Sequence, residues 1–268
     1  MNTAVGAAKL GQHVSLIGNI GDDFDSALIV DTLKQYGIDS SGINRCSSVE
    51  TGKAFIMVDP GGNSIMSILS GANALVSEKN ITDNERLFRN CGYLLVSTEI
   101  PICSVVTACR LAHKYGGMTI IKPHATVKNH LEFLKQTDIL IPNFDELCEL
   151  CPGNDTISHK ASLLLDKGIS AVIVTLGADG CFLKTDKLEK SYPASKFQSV
   201  DNTGACDAFI SAFASYLQFG YDMDTSIRIA TYAAGFSITR EGVVPSLVDR
   251  NTLENYICKY EEDLIRKA

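Results

Sequence analysis

Ser199-Val200-Asp201-Asn202-Thr203-Gly204-Ala205-Cys206-Asp207-Ala208-Phe209 runs into a pattern of small and apolar residues with helical period. Two small residues, Gly204 and Ala205, open that helix, so its free backbone N–H groups point at whatever sits in front of them. Such a helix start is an anion site and suits a phosphoryl group in transfer. Asp207 falls in the first turn and has two readings. It can be a carboxylate placed favourably against the helix dipole or capping it, or a base that takes the proton of a hydroxyl attacking beside the anion site. Spacing alone leaves both open.

Outward from this stretch, apolar β-branched runs of strand length recur at 14–17, 93–96, 118–121, 139–141 and 171–175. Helical patterns at 25–36, 103–114, 157–167, 205–219 and 224–239 lie between most of them. Strands alternating with helices predict an α/β fold with a doubly wound, mostly parallel sheet and helices on both faces. Residues 51–70 break the rhythm. Two short apolar stretches, 54–58 and 65–69, flank Asp59-Pro60-Gly61-Gly62-Asn63, a hairpin signal. Such a hairpin is either an edge decoration or a flap over a ligand. No repeat, low-complexity tract or Pro/Ser-rich linker divides the chain, so a single domain over 1–268 is expected.

Composition narrows the function classes. The 268 residues are 45% hydrophobic, enough for one large α/β domain with a buried core. The formal charge of −7 comes from acidic and basic residues mixed along the chain. With no basic block to neutralise a row of phosphates, nucleic acid is not an expected partner. No apolar run approaches the roughly 20 residues that span a bilayer, and Met1-Asn2-Thr3 does not open a signal peptide. A cytoplasmic protein without a membrane partner is expected. Of nine cysteines, Cys91, Cys103, Cys109 and Cys181 lie singly in apolar stretches and read as small hydrophobes. Cys148 and Cys151 form a C-x-x-C without a second pair or a His at zinc spacing, at a helix end stopped by Pro152-Gly153.

Three further stretches carry chemistry. Ile141-Pro142-Asn143-Phe144-Asp145-Glu146 ends a strand, and its plain reading is a helix cap with an early Glu. Val174-Thr175-Leu176-Gly177-Ala178-Asp179-Gly180 reads plainly as a strand-to-strand turn. Thr239-Arg240-Glu241-Gly242-Val243-Val244-Pro245-Ser246 reads plainly as a surface loop.

Together and in this order these motifs resemble those of the ribokinase-like (PfkB-type) carbohydrate kinases, and within that family the match is nearest the ribokinases. Residues 201–207 are similar to the family's D-T-x-G-A-G-D signature. The resemblance implies an anion hole at Gly204, Ala205 and Cys206 with Asp207 as base; Asn202 and Cys206 depart from the pattern. It assigns Asn143 and Glu146 to magnesium, through water, and to the phosphates. Thr175, Gly177, Gly180 and Thr231 fall on the nucleotide side. Asp201 and Thr203, with the 239–246 loop, would hold a monovalent cation, potassium. On the sugar side it implies Asn2, Glu99 and Asp207. Lys122-Pro123 stands where the family has Asn-Pro near the phosphates, and the lysine either contacts phosphate or is solvated.

The activity implied is transfer of the γ-phosphoryl group of ATP to a hydroxyl of a small sugar, with ATP, Mg2+ and K+ as cofactors. The 51–70 hairpin resembles a lid that also pairs subunits, so a homodimer through the lid is implied. The match begins inside the family's sugar-binding motif. Its first strand, early Asp and Gly-Gly turn are therefore expected to be missing, as in an N-terminally truncated domain. Two alternatives stay open: a kinase for fructose, a sugar phosphate or a nucleoside, and a catalytically weak or inactive nucleotide-binding paralogue. A dinucleotide-binding G-x-G-x-x-G between strand and helix and a G-x-x-x-x-G-K-[ST] phosphate loop are both absent.

Overall fold

The computed structural model describes residues 1–58, 64–124 and 131–265; the turn expected at Asp59-Pro60-Gly61-Gly62-Asn63 lies outside them. The chain opens with α1 (Asn2–Lys9), β1 (Ser15–Ile20), α2 (Phe24–Gln35) and β2 (Asp39–Arg45), then the hairpin β3 (Lys53–Val58) and β4 (Ser64–Leu69). A short α3 (Glu78–Thr82) leads into β5 (Tyr93–Ser97), α4 (Ile102–Lys114), β6 (Met118–Lys122) and β7 (Ile139–Leu140). Next come α5 (Phe144–Leu150), α6 (Ile157–Leu165), β8 (Ala171–Thr175), β9 (Cys181–Thr185) and β10 (Glu189–Tyr192). The last part is helical: α7 (Ala205–Gln218), α8 (Met223–Ser237), the single turn α9 (Val243–Ser246) and α10 (Arg250–Tyr260).

Six strands form the main sheet in the order β10-β9-β8-β7-β6-β5. Pairing is parallel from β5 through β8 and antiparallel from β8 through β10. Its strands are apolar on both faces because successive side chains point to opposite sides. Ile120, Ile139, Ile141, Ala171 and Ile173 face one core built on α7, α8 and α10. Their neighbours Ile121, Leu140, Val172 and Val174 face the other, built on α4, α5 and α6. This is the doubly wound arrangement, and it puts the carboxyl ends of β6, β7 and β8 beside the start of α7. In open α/β sheets ligands bind at that edge.

One strand departs from the expectation of a single sheet. β1 pairs in parallel with β2 alone, in a separate two-stranded ribbon. The ribbon is joined to the rest of the chain by side-chain packing: Val14, Leu16 and Ile43 pack on a cluster of Val5, Leu33, Ile38, Ala208 and Leu247 contributed by α1, α2, the turn after α2, α7 and the segment after α9. Between the ribbon and the β5 edge lies an open slot, lined by Leu16 and Ile17 on one side and by Leu94, Leu95 and Val96 on the other.

The hairpin pairs Lys53 with Leu69 and Phe55 with Ser67. Its base is tied to α2: Asp23 caps that helix through the Ser26 N–H at 2.9 Å and also accepts the Thr51 N–H and hydroxyl, each at 2.7 Å. All nine cysteines are free thiols. Cys151 is buried at the end of α5 with its Sγ 3.6 Å from the Lys160 carbonyl. Among the described residues no helix is long and apolar enough to cross a membrane.

Candidate active site

Gly204 is the residue before α7, with φ +84° and ψ 0°, and no side chain caps the helix. The Cys206 and Asp207 N–H groups of the first turn have no helical partner, while the Ala205 N–H reaches the Asn202 carbonyl at 3.3 Å; all three residues line the cavity in front. Cys206, where the resembled pattern has glycine, takes an ordinary helical backbone, since no residue other than glycine has a positive φ among the described residues. Only Gly204 needs glycine's freedom here. The Cys206 thiol is 3.9 Å from the Thr175 hydroxyl, and burial pushes its pKa up against the opposing charge of Lys122. Cys206→Gly is expected to lower stability by about 0.5–1 kcal/mol, because glycine loses more freedom on joining a helix. Turnover should hardly change, as read by thermal melting and steady-state rates. A clear rate gain would show instead that the thiol narrows the site.

Asp207 sits half-buried in the same turn. Its carboxylate accepts the Asn2 amide at 3.2 Å and the Thr3 hydroxyl at 2.5 Å, both from the start of α1. These partners are 205 and 204 residues away in sequence. One face of the carboxyl is thereby fixed by donors while the group remains at the cavity wall.

The loop before α7 is braced by Asp201. One carboxylate oxygen accepts the Thr203 N–H at 2.9 Å and the other accepts the Gly242 N–H at 3.2 Å. Those bonds, that to Thr203 first, hold the Asp201 carboxyl below the usual carboxylate range. They also join 201–203 to the 239–246 loop, the two segments that the resemblance couples.

Asn143 and Glu146 form a capping box at α5. Asn143 accepts the Glu146 N–H at 2.8 Å and Glu146 accepts the Asn143 N–H at 2.7 Å. The plain reading of N-x-x-E as a cap is therefore met. Both residues still line the cavity, at the carboxyl end of β7 where Asn143 bridges to Thr175. Glu146 is only 8% exposed, and the Lys122 ammonium forks onto both of its oxygens. A buried carboxylate that has drawn in a cation, beside an amide oxygen, is a hard-oxygen set that suits magnesium held partly through water. Among the described residues no group of three or more His, Cys, Asp or Glu is placed to hold a metal ion.

Gly177 and Gly180 lie in the turn joining β8 to antiparallel β9. The Thr231 hydroxyl, on α8, is engaged by the Arg228 carbonyl at 2.8 Å and lies 3.2 Å from the Ser195 hydroxyl. Glu99 is exposed just past β5. All these residues, with 201–207, line one continuous cavity of about 2820 Å³. Asn2 is not in its wall and reaches it through Asp207. The volume exceeds the few hundred to about 1,000 Å³ of a small-molecule pocket, because the slot beside β5 opens into it.

Sequence reasoning missed Thr3, the Lys122–Glu146 pair and Phe197. The last had a signal: Gly235 stands mid-helix, where glycine is unfavourable. A Cβ there would lie 2.3 Å from the Phe197 ring, so the glycine admits that ring against α8. No local pattern pointed to the other two.

The family model "pfkB family carbohydrate kinase" matches residues 1–250. The ribokinase of Haemophilus influenzae is 33% identical over 259 residues, covering 94% of this chain and 84% of its own length. The deoxyribokinase of Salmonella typhi is 29% identical, covering 96% and 85%. Among solved structures, the Thermotoga maritima ribokinase superposes with TM-score 0.86 at 30% identity, covering 96% of this chain and 85% of that one. The Arabidopsis thaliana ribokinase complexed with ribose and ATP gives TM-score 0.86 at 28% identity, covering 95% and 85%.

Proposed function

The chain belongs to the pfkB family of carbohydrate kinases, and from that premise we propose that it phosphorylates a pentose, ribose or deoxyribose, with ATP. The observation that carries this reading is the start of α7: an uncapped helix N-terminus with a carboxylate in its first turn, oriented by two donors from α1. In the reaction Asp207 accepts the proton of the attacking sugar hydroxyl. The sugar oxygen bonds to the γ-phosphorus as the bond from phosphorus to the β,γ-bridging oxygen breaks, and ADP leaves. The N–H groups of Gly204, Ala205 and Cys206 carry the charge that develops on the phosphoryl oxygens. Asn2 and Glu99 position the sugar. Thr175, Gly177, Gly180 and Thr231 shape the nucleotide side; the Thr231 hydroxyl is already paired, so it acts by packing. Magnesium held by Asn143 and Glu146 through water would neutralise phosphate charge.

The reading takes 1–268 as one kinase domain with the 51–70 hairpin as its lid. Phe55, Met57 and Leu69 share one hairpin face, by the pairing register, and are 52%, 60% and 55% exposed. Ile56, on the other face, lines the cavity. A lid covering sugar on one face and pairing with a second copy on the other suits that division, so the active form is a homodimer.

A panel of ribose, deoxyribose, fructose, sugar phosphates and nucleosides, read by magnesium-dependent ADP release, tests the substrate. Turnover on a pentose is expected; turnover only on another class replaces the substrate, and none on any acceptor leaves the idle paralogue. We further propose that Asp201 and Thr203 hold potassium beside the anion site, fixing it electrostatically. Potassium then raises the rate, and Asp201→Ala abolishes the increase. Equal rates in sodium and potassium would remove the cation from the account.

A further inference from the structure

Lys122 is the last residue of β6, at the carboxyl edge of the sheet. Its ammonium contacts both oxygens of Glu146 and lies 3.2 Å from the Pro123 carbonyl. Glu146 is thereby loaded: Oε2 also takes the Asn143 N–H at 2.7 Å, and the residue is buried. Lys122 also shares the cavity wall with Gly204, Ala205 and Cys206 at the start of α7. One flexible cation thus stands between the carboxylate assigned above to metal and the helix start assigned to phosphate.

Two cations cannot share one buried carboxylate without mutual repulsion that low dielectric strengthens. A buried ion pair that loses one partner leaves the other charge uncompensated. A divalent ion reaching Glu146 must therefore displace the ammonium, and the displaced ammonium needs a new anion. The phosphoryl oxygens that arrive with the metal supply it, and a compact ammonium on a four-carbon stem can swing to them. Resting on the kinase reading above, we propose that Lys122 is a positioning residue that stands in for the metal at Glu146 in the empty site and passes to the nucleotide phosphates when the metal binds.

The test is binding, with Mn2+ as spectroscopic probe and ADP as nucleotide, on the full chain and Lys122→Met. In the variant, Mn2+ binding to the nucleotide-free protein should tighten about tenfold, the low end of what one neighbouring charge does to a carboxylate's affinity for a proton. ADP binding in saturating Mn2+ should weaken by a similar factor, while ADP binding without metal stays unchanged. In a Glu146→Gln background Lys122→Met should no longer alter Mn2+ binding. Unchanged or weaker Mn2+ binding in Lys122→Met overturns the competition, and unchanged ADP affinity in saturating metal overturns the transfer; either sinks the proposal. Thermal melting reports folding, and Lys122→Gln is read by the same criteria if the methionine variant does not fold. Sugar turnover by the unaltered chain is scored separately. Its absence would remove the kinase reading and leave these outcomes standing, whereas turnover with unaltered metal binding would keep that reading and overturn only this inference.

Discussion

Asp207→Asn lowers turnover by roughly 10²–10⁴-fold, the range that a positioned general base contributes, while ATP binding stays close to that of the unaltered chain. The substitution preserves size, and the Thr3 hydroxyl keeps an oxygen to donate to. The Asn2 amide, 3.2 Å from the second carboxylate oxygen, then faces an NH₂ group, and rotation of the Asn2 amide restores an acceptor. What the variant cannot do is take a proton from the sugar hydroxyl. The loss should fall on kcat, with a smaller change in KM, because proton transfer matters in the transition state and not in the ground state. Steady-state ADP release across sugar concentrations, with calorimetry for ATP, separates these effects. Turnover within a few-fold of the unaltered chain would remove Asp207 from the chemistry and leave it as a dipole-compatible first-turn carboxylate.

The parts of the fold that were legible in the sequence are those governed by near neighbours. Ala171-Val172-Ile173-Val174-Thr175 reads as a strand buried on both faces because its alternate residues enter two different cores, as found. Asn143 and Glu146 read as a helix start because their mutual cap closes within four residues. Gly204 reads as a helix opening for the same local reason. The Asp207 contacts with Asn2 and Thr3 were not legible, since nothing local to either end records a hydrogen bond spanning more than 200 residues. The separate β1–β2 ribbon escaped for a related reason. A β-branched run records the tendency to be a strand, while its neighbour in the sheet is decided by which helices cover it. At Lys122 the sequence left two readings open, and the geometry adds a partner, Glu146, that neither had named.

Gly204→Ala should cost stability and activity together. At φ +84° an L-residue with a Cβ pays about 1–2 kcal/mol for the left-handed conformation. The added atom also has nowhere to go: it would lie 2.5 Å from Cγ1 and 3.2 Å from Cβ of Val243. Val243 follows Gly242, whose N–H is held by Asp201, so neither wall of this contact retreats without loosening the brace between the two loops. A total cost of about 2–5 kcal/mol follows from strain plus overpacking. The same displacement moves the first-turn N–H groups and Asp207 relative to the phosphoryl group, and a shift on the order of 1 Å there is expected to reduce turnover about 10²-fold. A second substitution separates the two causes. Val243→Ala removes the two Cγ contacts but keeps Cβ and does not relieve the backbone, so Gly204→Ala with Val243→Ala should recover part of the melting temperature and part of the rate, but not all of either. Gly204→Ala that melts and turns over like the unaltered chain would mean that the helix start is not held in this geometry and that the anion site lies elsewhere in the cavity.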